Sequence, residues 1–287
     1  MKEAMKVVDL YCGVGGFSCG SMQAGCTPTM GIDCDDSVVR LWSANTGGRG
    51  KLATLWSDPV DWPPPAPDIH VHISPPCTEL SNARRNTSAR DVQTGLDGVR
   101  RALDFILKRQ YTSWSLENVP TPAVRKTVQE YVALAPELVA FTTIDAADVG
   151  VPSTRRRLIA GPPELIHKLK ETPVRRVSVA EAFCDAGLSL PASFIKNSTR
   201  KRSGCPCVRS VQGSAFAALA SHPLTWCDSD GATIRCLTVK ESAIIQGFPQ
   251  DWMLPNQARL GFRAVGNAIP PPLGVAIMTA ARAVSQM

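Results

Sequence analysis

Short apolar runs rich in β-branched residues alternate with stretches of helical spacing through the first 165 residues of this 287-residue chain. The runs Val7–Tyr11, Thr29–Asp33, Leu52–Trp56, Ile69–Ser74, Trp114–Glu117, Val139–Ile144 and Leu158–Ala160 predict strands. Between them, Val99, Leu103 and Ile106 recur at helical spacing. Val124, Val128 and Val132 do the same after Thr121-Pro122, a suitable N-cap and first-turn pair. Strand–helix alternation of this kind predicts an α/β fold, a mainly parallel sheet with helices on both faces. The loop Asp61–Pro67 carries four prolines, which can join neither a ladder nor a helix, and so forms a stiff connection into the Ile69 run.

From about residue 166 the texture changes. A helix in Pro162–Glu171 is followed by Ser178-Val-Ala-Glu181, a capping box that opens another short helix. Phe194–Asp230 has no sustained period and is rich in Ser, Gly, Lys, Arg and Cys, which predicts irregular structure with short strands. Order returns at a second capping box, Thr238-Val-Lys-Glu241, and a last helix starts near Pro272. The expected organisation is a first domain over 1–165, a small domain over 166–234, and a return segment over 235–287 that completes the first. No internal repeat or low-complexity tract is evident.

Composition narrows the function classes. Apolar residues are 44% and charged residues 20%, the balance of a packed globular protein, not a disordered one. No apolar run near 18 residues suggests a membrane span, and no apolar leader precedes the first strand, so a cytoplasmic or nucleoid-associated protein with reduced thiols is expected. Its ten cysteines should then be mostly buried small apolar groups, with one or two reactive. The Cys205–Cys207 pair lacks a second pair at zinc spacing, so no metal is expected. The net charge of +6 suits a polyanionic partner without requiring one.

Three segments carry candidate chemistry. Asp9-Leu-Tyr-Cys-Gly13-Val-Gly15-Gly16-Phe17 lies between a strand and a helix, where glycines let the backbone approach a nucleotide-like ligand. Asp33, at the end of the next strand, suits ribose hydroxyls. Nicotinamide, flavin and adenosylmethionine proteins all use such a turn, and a glycine-rich turn with no ligand has the same appearance. Ser74-Pro75-Pro76-Cys77 follows a strand directly, and two prolines present the thiol from a rigid turn, although an isolated cysteine is more often inert and buried. Glu117-Asn118-Val119-Pro120 ends another strand, where burial can raise a carboxyl's affinity for its proton; a plain helix cap is the alternative.

Together these segments resemble the cytosine-5 DNA methyltransferase family, in order and over almost the whole chain. DLYCGVGGFS is similar to the family's DLFxGxGGxS, and SPPCTELS to its nucleophile motif PPCQxxS. LENVP matches the ENV motif, and VPSTRRRLIAG resembles PQxRxR. RCLTVKESAIIQGFPQDW follows RxLTxRExxRxQxFPxxF, and VGNAIPPPLGVAI follows GNxVxPxxxxxI. Departures are Tyr11 for Phe, Thr78 and Ser153 for Gln, Lys240 for Arg, and Ile244 near a second expected Arg.

The resemblance implies a Rossmann-like methyltransferase domain with a small target-recognition domain over 166–234. It implies S-adenosylmethionine as cofactor, held by Tyr11, Gly13, Gly15, Gly16, Phe17, Asp33, Asp58, Pro76 and Asn267. Cys77 is implied as nucleophile, with Glu117, Arg155 and Arg157 as catalytic partners, the arginines favouring the thiolate. The implied substrate is double-stranded DNA with a cytosine flipped from the stack, because ring carbons cannot be reached inside a duplex. The long basic loop Leu80–Gly98 would close over it, with Arg84 and Arg85 near phosphates, and Arg200, Lys201 and Arg202 would contact phosphates from the small domain. A monomer is expected, with a cognate restriction enzyme as the open partner. An RNA methyltransferase of the branch that acts on transfer RNA, and a catalytically inactive DNA-binding regulator, are the alternatives; the chain lacks the Cys-Phe-Thr signature of that branch and keeps Cys77 and Glu117.

Overall fold

The computed structural model describes residues 4–78, 80, 88–202, 205–215 and 224–286. Seven strands form the main sheet: β1 (Lys6–Leu10), β2 (Thr27–Asp33), β3 (Arg49–Leu52), β4 (Ile69–Ile73), β5 (Ser113–Asn118), β6 (Ala140–Asp145) and β7 (Arg156–Gly161). Their order is β3-β2-β1-β4-β5-β7-β6, and β7 alone runs against its neighbours. Helices α1 (Gly16–Gln23), α5 (Pro163–Lys170) and α9 (Pro271–Val284) cover one face, burying Phe17, Leu165, Ile166, Leu273 and Ile277 with Val7 and Ile159 of the sheet. On the other face α3 (Ala89–Arg109) and α4 (Pro122–Leu134) bury Val99, Leu103, Ile106, Val124 and Val128 against Val8, Leu10, Val71 and Leu116. This is the mainly parallel sheet with helices on both faces that the alternation predicts.

Three elements differ from the sequence expectation. The third strand is Arg49–Leu52, not Leu52–Trp56. It is an edge strand whose polar residues face water, so no apolar run marks it. Beyond it the chain turns at Thr54–Ser57, with Trp56 at φ 75. The second half of the expected loop Leu80–Gly98 is helix: Ser88 caps α3 and forms a capping box with Asp91, a reciprocal pair built on Asp in place of Glu or Gln. Arg84 and Arg85 lie outside the described residues. Finally, Phe194–Asp230 is more regular than its composition suggests. β8 (Phe194–Arg202) and β9 (Cys205–Ser210) pair antiparallel and join β10 (Thr225–Cys227) and β11 (Thr233–Cys236) in a second sheet.

The second sheet packs over α6 (Val179–Asp185) and α7 (Val239–Gln246), and both expected capping boxes are formed at their starts. Trp226 is fully buried there and meets Phe183 edge-on at 5.5 Å. The sheet joins the main body through a parallel bridge between Ser153 and Ala215, in which Thr154 N–H donates to Ala215 and Ala215 N–H to Pro152 at 3.0 and 2.8 Å. Arg209 reinforces the joint by donating to Thr154 Oγ1 and to the carbonyls of Ser214 and Ala215. Helices α2 (Asp36–Thr46) and α8 (Ala258–Asn267) complete the described α-helices.

The face of the main sheet beneath α1 contains two fully buried histidines, His70 and His72 on β4. Phe17 stacks on His72 with centroids 3.6 Å apart. Burial pushes His70 down to about 3 and His72 well below the ordinary range, so both are neutral in the folded protein. Between the folded and unfolded pKa values such a histidine binds a proton only in the unfolded chain. Its contribution to stability is therefore intact above pH 6.5 and is lost as pH falls below it. Asp9, pushed up to about 7 by burial, has the opposite sign. Relative to wild type, His72→Phe should lose about 2 kcal/mol less stability between pH 7.5 and pH 5, read from urea midpoints. The two proteins share Asp9, so its titration cancels in the difference.

Candidate active site

The site lies at the carboxyl ends of β1, β2, β4 and β5, where loops leave the sheet. β1 ends in a turn with Tyr11, Gly13 and Gly15 at φ 59, 50 and 85, values that favour glycine. Asp33, at the end of β2, accepts the Gly13 N–H at 3.0 Å and the Asp35 N–H at 3.1 Å. Trp56 donates to the Tyr11 hydroxyl at 2.8 Å, fixing the aromatic ring that stands where the resemblance has Phe. A Cβ on Gly13 would meet nothing within 4 Å, so the turn faces open space on that side. On the opposite side it is closed: a Cβ on Gly16 would lie 2.1 Å from the Ile269 carbonyl oxygen. The segment just after Asn267 thus backs the turn, and Asn267 itself is exposed.

β4 delivers Cys77. Ser74 N–H donates to Leu10 at 3.2 Å, tying the start of the Pro-Pro-Cys turn to β1. Asn118, fully buried at the end of β5, donates from Nδ2 to the Pro75 carbonyl at 3.2 Å and accepts from Val119 N–H at 2.8 Å. Leu80 N–H donates to the Cys77 carbonyl at 3.1 Å. The thiol is therefore held from both flanks.

Around Cys77 stand three buried charged groups. Arg157 Nε lies 2.5 Å from Glu117 Oε1 in an ion pair between neighbouring strands. The sequence suggests a lone desolvated carboxyl, but Glu117 has this partner, and it caps no helix, since Thr121 occupies that place on α4. Arg155 turns elsewhere. Its Nη2 donates to the Gly266 and Ala268 carbonyls at 2.8 and 3.1 Å, and its backbone N–H to Asp145 at 2.8 Å. Burial and Arg157 push Arg155 down to about 9, still charged at neutral pH.

The two arginines do lower the pKa of Cys77, as expected, but they do not prevail. Burial first and the charge of Glu117 second push the thiol above its ordinary value. In this arrangement Cys77 rests as a neutral thiol. Where a free charge would be costly in such a buried site, a proton removes it.

The remaining sequence candidates divide. Asp58 is exposed and accepts the Thr54 N–H at 2.6 Å, closing the turn after β3 close to Asp33. Pro76 is exposed beside Cys77. The Phe17 ring is buried and lies against His72, so its side chain packs the core. Arg200, Lys201 and Arg202 fall on β8, away from the main sheet. Among the described cysteines Cys12, Cys19, Cys26 and Cys227 are buried, but Cys34, Cys184 and Cys236 are exposed, more than expected. Asn118 was missed as a positioning group although it stands inside the Glu-Asn-Val motif. His70 and His72 were missed too; their signal is the i, i+2 spacing in IHVHI opposite the same spacing of serines in SWSLEN.

Comparison with known proteins gives the same picture. The profile of the C-5 cytosine-specific DNA methylase family matches residues 5–172 and 190–282. The Type II methyltransferase M.HgiDI of Herpetosiphon aurantiacus is 24% identical over 97% of this chain and 94% of its own. M.AplI of Arthrospira platensis is 26% identical over 96% and 85%. Among solved structures, a protein described as a putative DNA modification methyltransferase encoded within an E. coli prophage superposes with a TM-score of 0.65 at 18% identity, covering 99% of this chain and 100% of that one. The S. pombe Dnmt2 methyltransferase does so at 0.65 and 15%, covering 96% and 97%. At these identities the structural likeness is one of fold.

The balance of charges at Cys77 can be measured directly. Alkylation by iodoacetamide, followed at the Cys77 peptide by mass spectrometry across pH, should have its midpoint above that of an ordinary cysteine. Glu117→Gln should move the midpoint down and Arg157→Met should move it up. A midpoint unmoved in both variants would contradict the assigned electrostatics.

Proposed function

Since this chain belongs to the C-5 cytosine-specific DNA methylase family, we propose that it methylates carbon 5 of a cytosine flipped out of double-stranded DNA, with Cys77 as nucleophile and S-adenosylmethionine as methyl donor. The observation that carries this reading is the meeting of Cys77 with the Glu117–Arg157 ion pair at the end of β4 and β5. A thiol beside a buried, oriented carboxylate suits attack on a ring that must be held by its polar edge.

The chain's residues fit the cofactor. The open side of Gly13 leaves room for a ligand against the backbone, Asp33 presents its carboxylate at the end of β2, and Tyr11 and Asp58 flank it. Gly15, Gly16 and the segment at Asn267 shape the floor of that turn. S-adenosylmethionine, when bound there, supplies an electrophilic methyl group.

The steps follow from the side chains. Cys77 loses its proton to solvent as Sγ bonds to carbon 6 of cytosine, and the electron pair of the ring double bond moves toward N3. Glu117, taking a proton from solvent as the base enters, would pass it to N3 and accept from the exocyclic amine, so that the electron pair arriving at N3 is neutralised. Arg157 fixes the orientation of Glu117, while Arg155 holds the Gly266–Ala268 segment against the site. Carbon 5, now nucleophilic, would accept the methyl group as N3 returns its proton to Glu117, with the neutral thioether of the spent donor as the second product. Loss of the carbon 5 proton to solvent then returns the electron pair to the ring, and the carbon 6–sulfur bond breaks. A neutral resting thiol implies that deprotonation belongs to the substrate-bound state, when the base has entered and its edge engages Glu117.

The second sheet, with Arg200, Lys201 and Arg202 on β8, is the DNA-reading part in this proposal; Arg84 and Arg85 on the loop after Cys77 would join it at the phosphates. The Type II methyltransferase relatives support a DNA-modification role; action as a monomer in the cytoplasm, beside a cognate restriction enzyme, belongs to the same proposal.

Two measurements test the proposal. Cys77→Ala should lower methylation by roughly a thousandfold or more while leaving adenosylmethionine binding, measured by calorimetry, unchanged. Wild-type protein with 5-fluorocytosine DNA should form an adduct that survives denaturation, and an active Cys77→Ala variant would defeat the mechanism. Tritium release from 5-labelled cytosine should be seen in duplex DNA. Release from RNA alone would replace DNA with RNA as substrate, and release from neither would favour an inactive regulator.

A further inference from the structure

Five side chains form an unbroken hydrogen-bonded row through the middle of the main sheet. Ser113 Oγ lies 2.8 Å from His70 Nδ1, and His70 Nε2 lies 2.8 Å from Ser115 Oγ. The same Ser115 oxygen lies 2.8 Å from His72 Nδ1, and His72 Nε2 lies 2.8 Å from Ser74 Oγ. His70, Ser115 and His72 are completely buried, while Ser113 and Ser74 at the two ends are half-buried. The row begins at the amino end of β5 and finishes on the first residue of the Ser-Pro-Pro-Cys turn. One step beyond the Ile73–Leu116 register pair, the next residues of β4 and β5 are Ser74 and Glu117.

Proton counting constrains this row. A neutral imidazole has one donor and one acceptor nitrogen, and a hydroxyl has one proton. Ser115 bridges both rings, so when it donates to one it accepts from the other. If His72 carries its proton on Nε2, Ser115 donates to His72 Nδ1 and His70 must donate to Ser115 from Nε2. If His72 carries it on Nδ1, every bond reverses and His70 is protonated on Nδ1. The arrangement with both rings donating to Ser115 strands that buried hydroxyl's proton, since Ser115 Oγ has no other hydrogen-bond partner among the described residues. The two histidines therefore share one tautomer, and the state of Ser113 at one end sets whether Ser74 donates or accepts at the other.

The groups facing the rings leave this neutral pairing undisturbed. Phe17 of α1 stacks on both. On β1, Val7 and Asp9 are the register partners of His70 and His72, and the Asp9 carboxylate is taken by the Ser18 hydroxyl at 2.5 Å. On β5, Glu117 is held by Arg157. Burial keeps both rings uncharged, so the row carries direction without carrying charge.

We propose that Ser113, His70, Ser115, His72 and Ser74 act as one positioning unit, which orients the Ser74 hydroxyl and so holds the turn that presents Cys77. The members are positioning residues, since none is placed against the reacting atoms. Turnover as a readout rests on the methyltransferase reading above, whereas the tautomer readout stands whatever reaction the protein performs.

Nitrogen-15 NMR of the full chain labelled at histidine reads the tautomers. His70 and His72 should show the same tautomer, and Ser115→Ala should abolish the coupling by removing the bridge. In single-turnover methylation Ser115→Ala should lower the rate about tenfold, the scale of a slightly misplaced reacting group, with the affinities for adenosylmethionine and duplex DNA unchanged. Ser115→Thr, which keeps the hydroxyl, should restore most of that loss. Ser115→Ala combined with His72→Phe should be no slower than His72→Phe alone, because either change breaks the same row. Opposite tautomers in the wild-type protein would overturn the unit directly. So would a Ser115→Ala variant within twofold of wild type, a Ser115→Thr variant no faster than Ser115→Ala, or losses that multiply in the double variant. If same-tautomer histidines are found in a protein that methylates nothing, the row stands and only the proposed reaction fails.

Discussion

The approach of the first helix to the last one governs the rest of the molecule. Gly16 and Gly20 of α1 lie so close to the carbonyls of Ile269 and Pro271 that a Cβ on either would come within 2.1 Å of an oxygen. A methyl group there forces the helices apart. Through this contact the return segment, more than 230 residues along the chain, becomes the back wall of the turn that starts at Tyr11. Arg155 then grips the same segment by its backbone, through the Gly266 and Ala268 carbonyls, and carries the alignment across to β7. The pocket floor, the glycine turn and the catalytic strands are thereby referred to one another by backbone atoms and one guanidinium.

On that frame the charges at Cys77 are arranged for restraint. The Glu117–Arg157 pair is buried, and breaking such a pair by removing one partner leaves an unpaired charge in a poor dielectric, commonly a penalty of about 3–5 kcal/mol. The pair also separates the two arginines by task. Arg157 pairs with the carboxylate and also donates to the Arg156 carbonyl, while Arg155 donates to the Gly266 and Ala268 carbonyls. A sequence shows two arginines two residues apart in one motif and can only treat them alike.

This contrast describes how far the sequence could be read. Strands with an apolar run, such as β1, β4 and β5, were legible because both of their faces are buried. The edge strand β3 and the pair β8–β9 were not, because no apolar run marks them in the sequence. The helix start at Ser88 escaped because its capping acid is Asp91. At the site, Cys77 and Glu117 stand at the ends of strands in recognisable motifs. The bond from Asn118 to Pro75, the stacking of Phe17 on His72 and the split between Arg155 and Arg157 are all meetings of residues distant in sequence, which no local period announces.

The joint between the two sheets carries a different kind of consequence. It is made of backbone: Thr154 to Ala215, and Ala215 to Pro152, with Arg209 also grasping carbonyls. Peptide groups are the same in every residue, so this seat is indifferent to most of the letters written on either side of it. Over evolutionary time the strands β8 to β11 can be rewritten extensively, or exchanged for another lineage's insert, and still dock in register with the sheet that holds Cys77. A protein built this way can inherit its chemistry from one ancestor and acquire a new surface by drift.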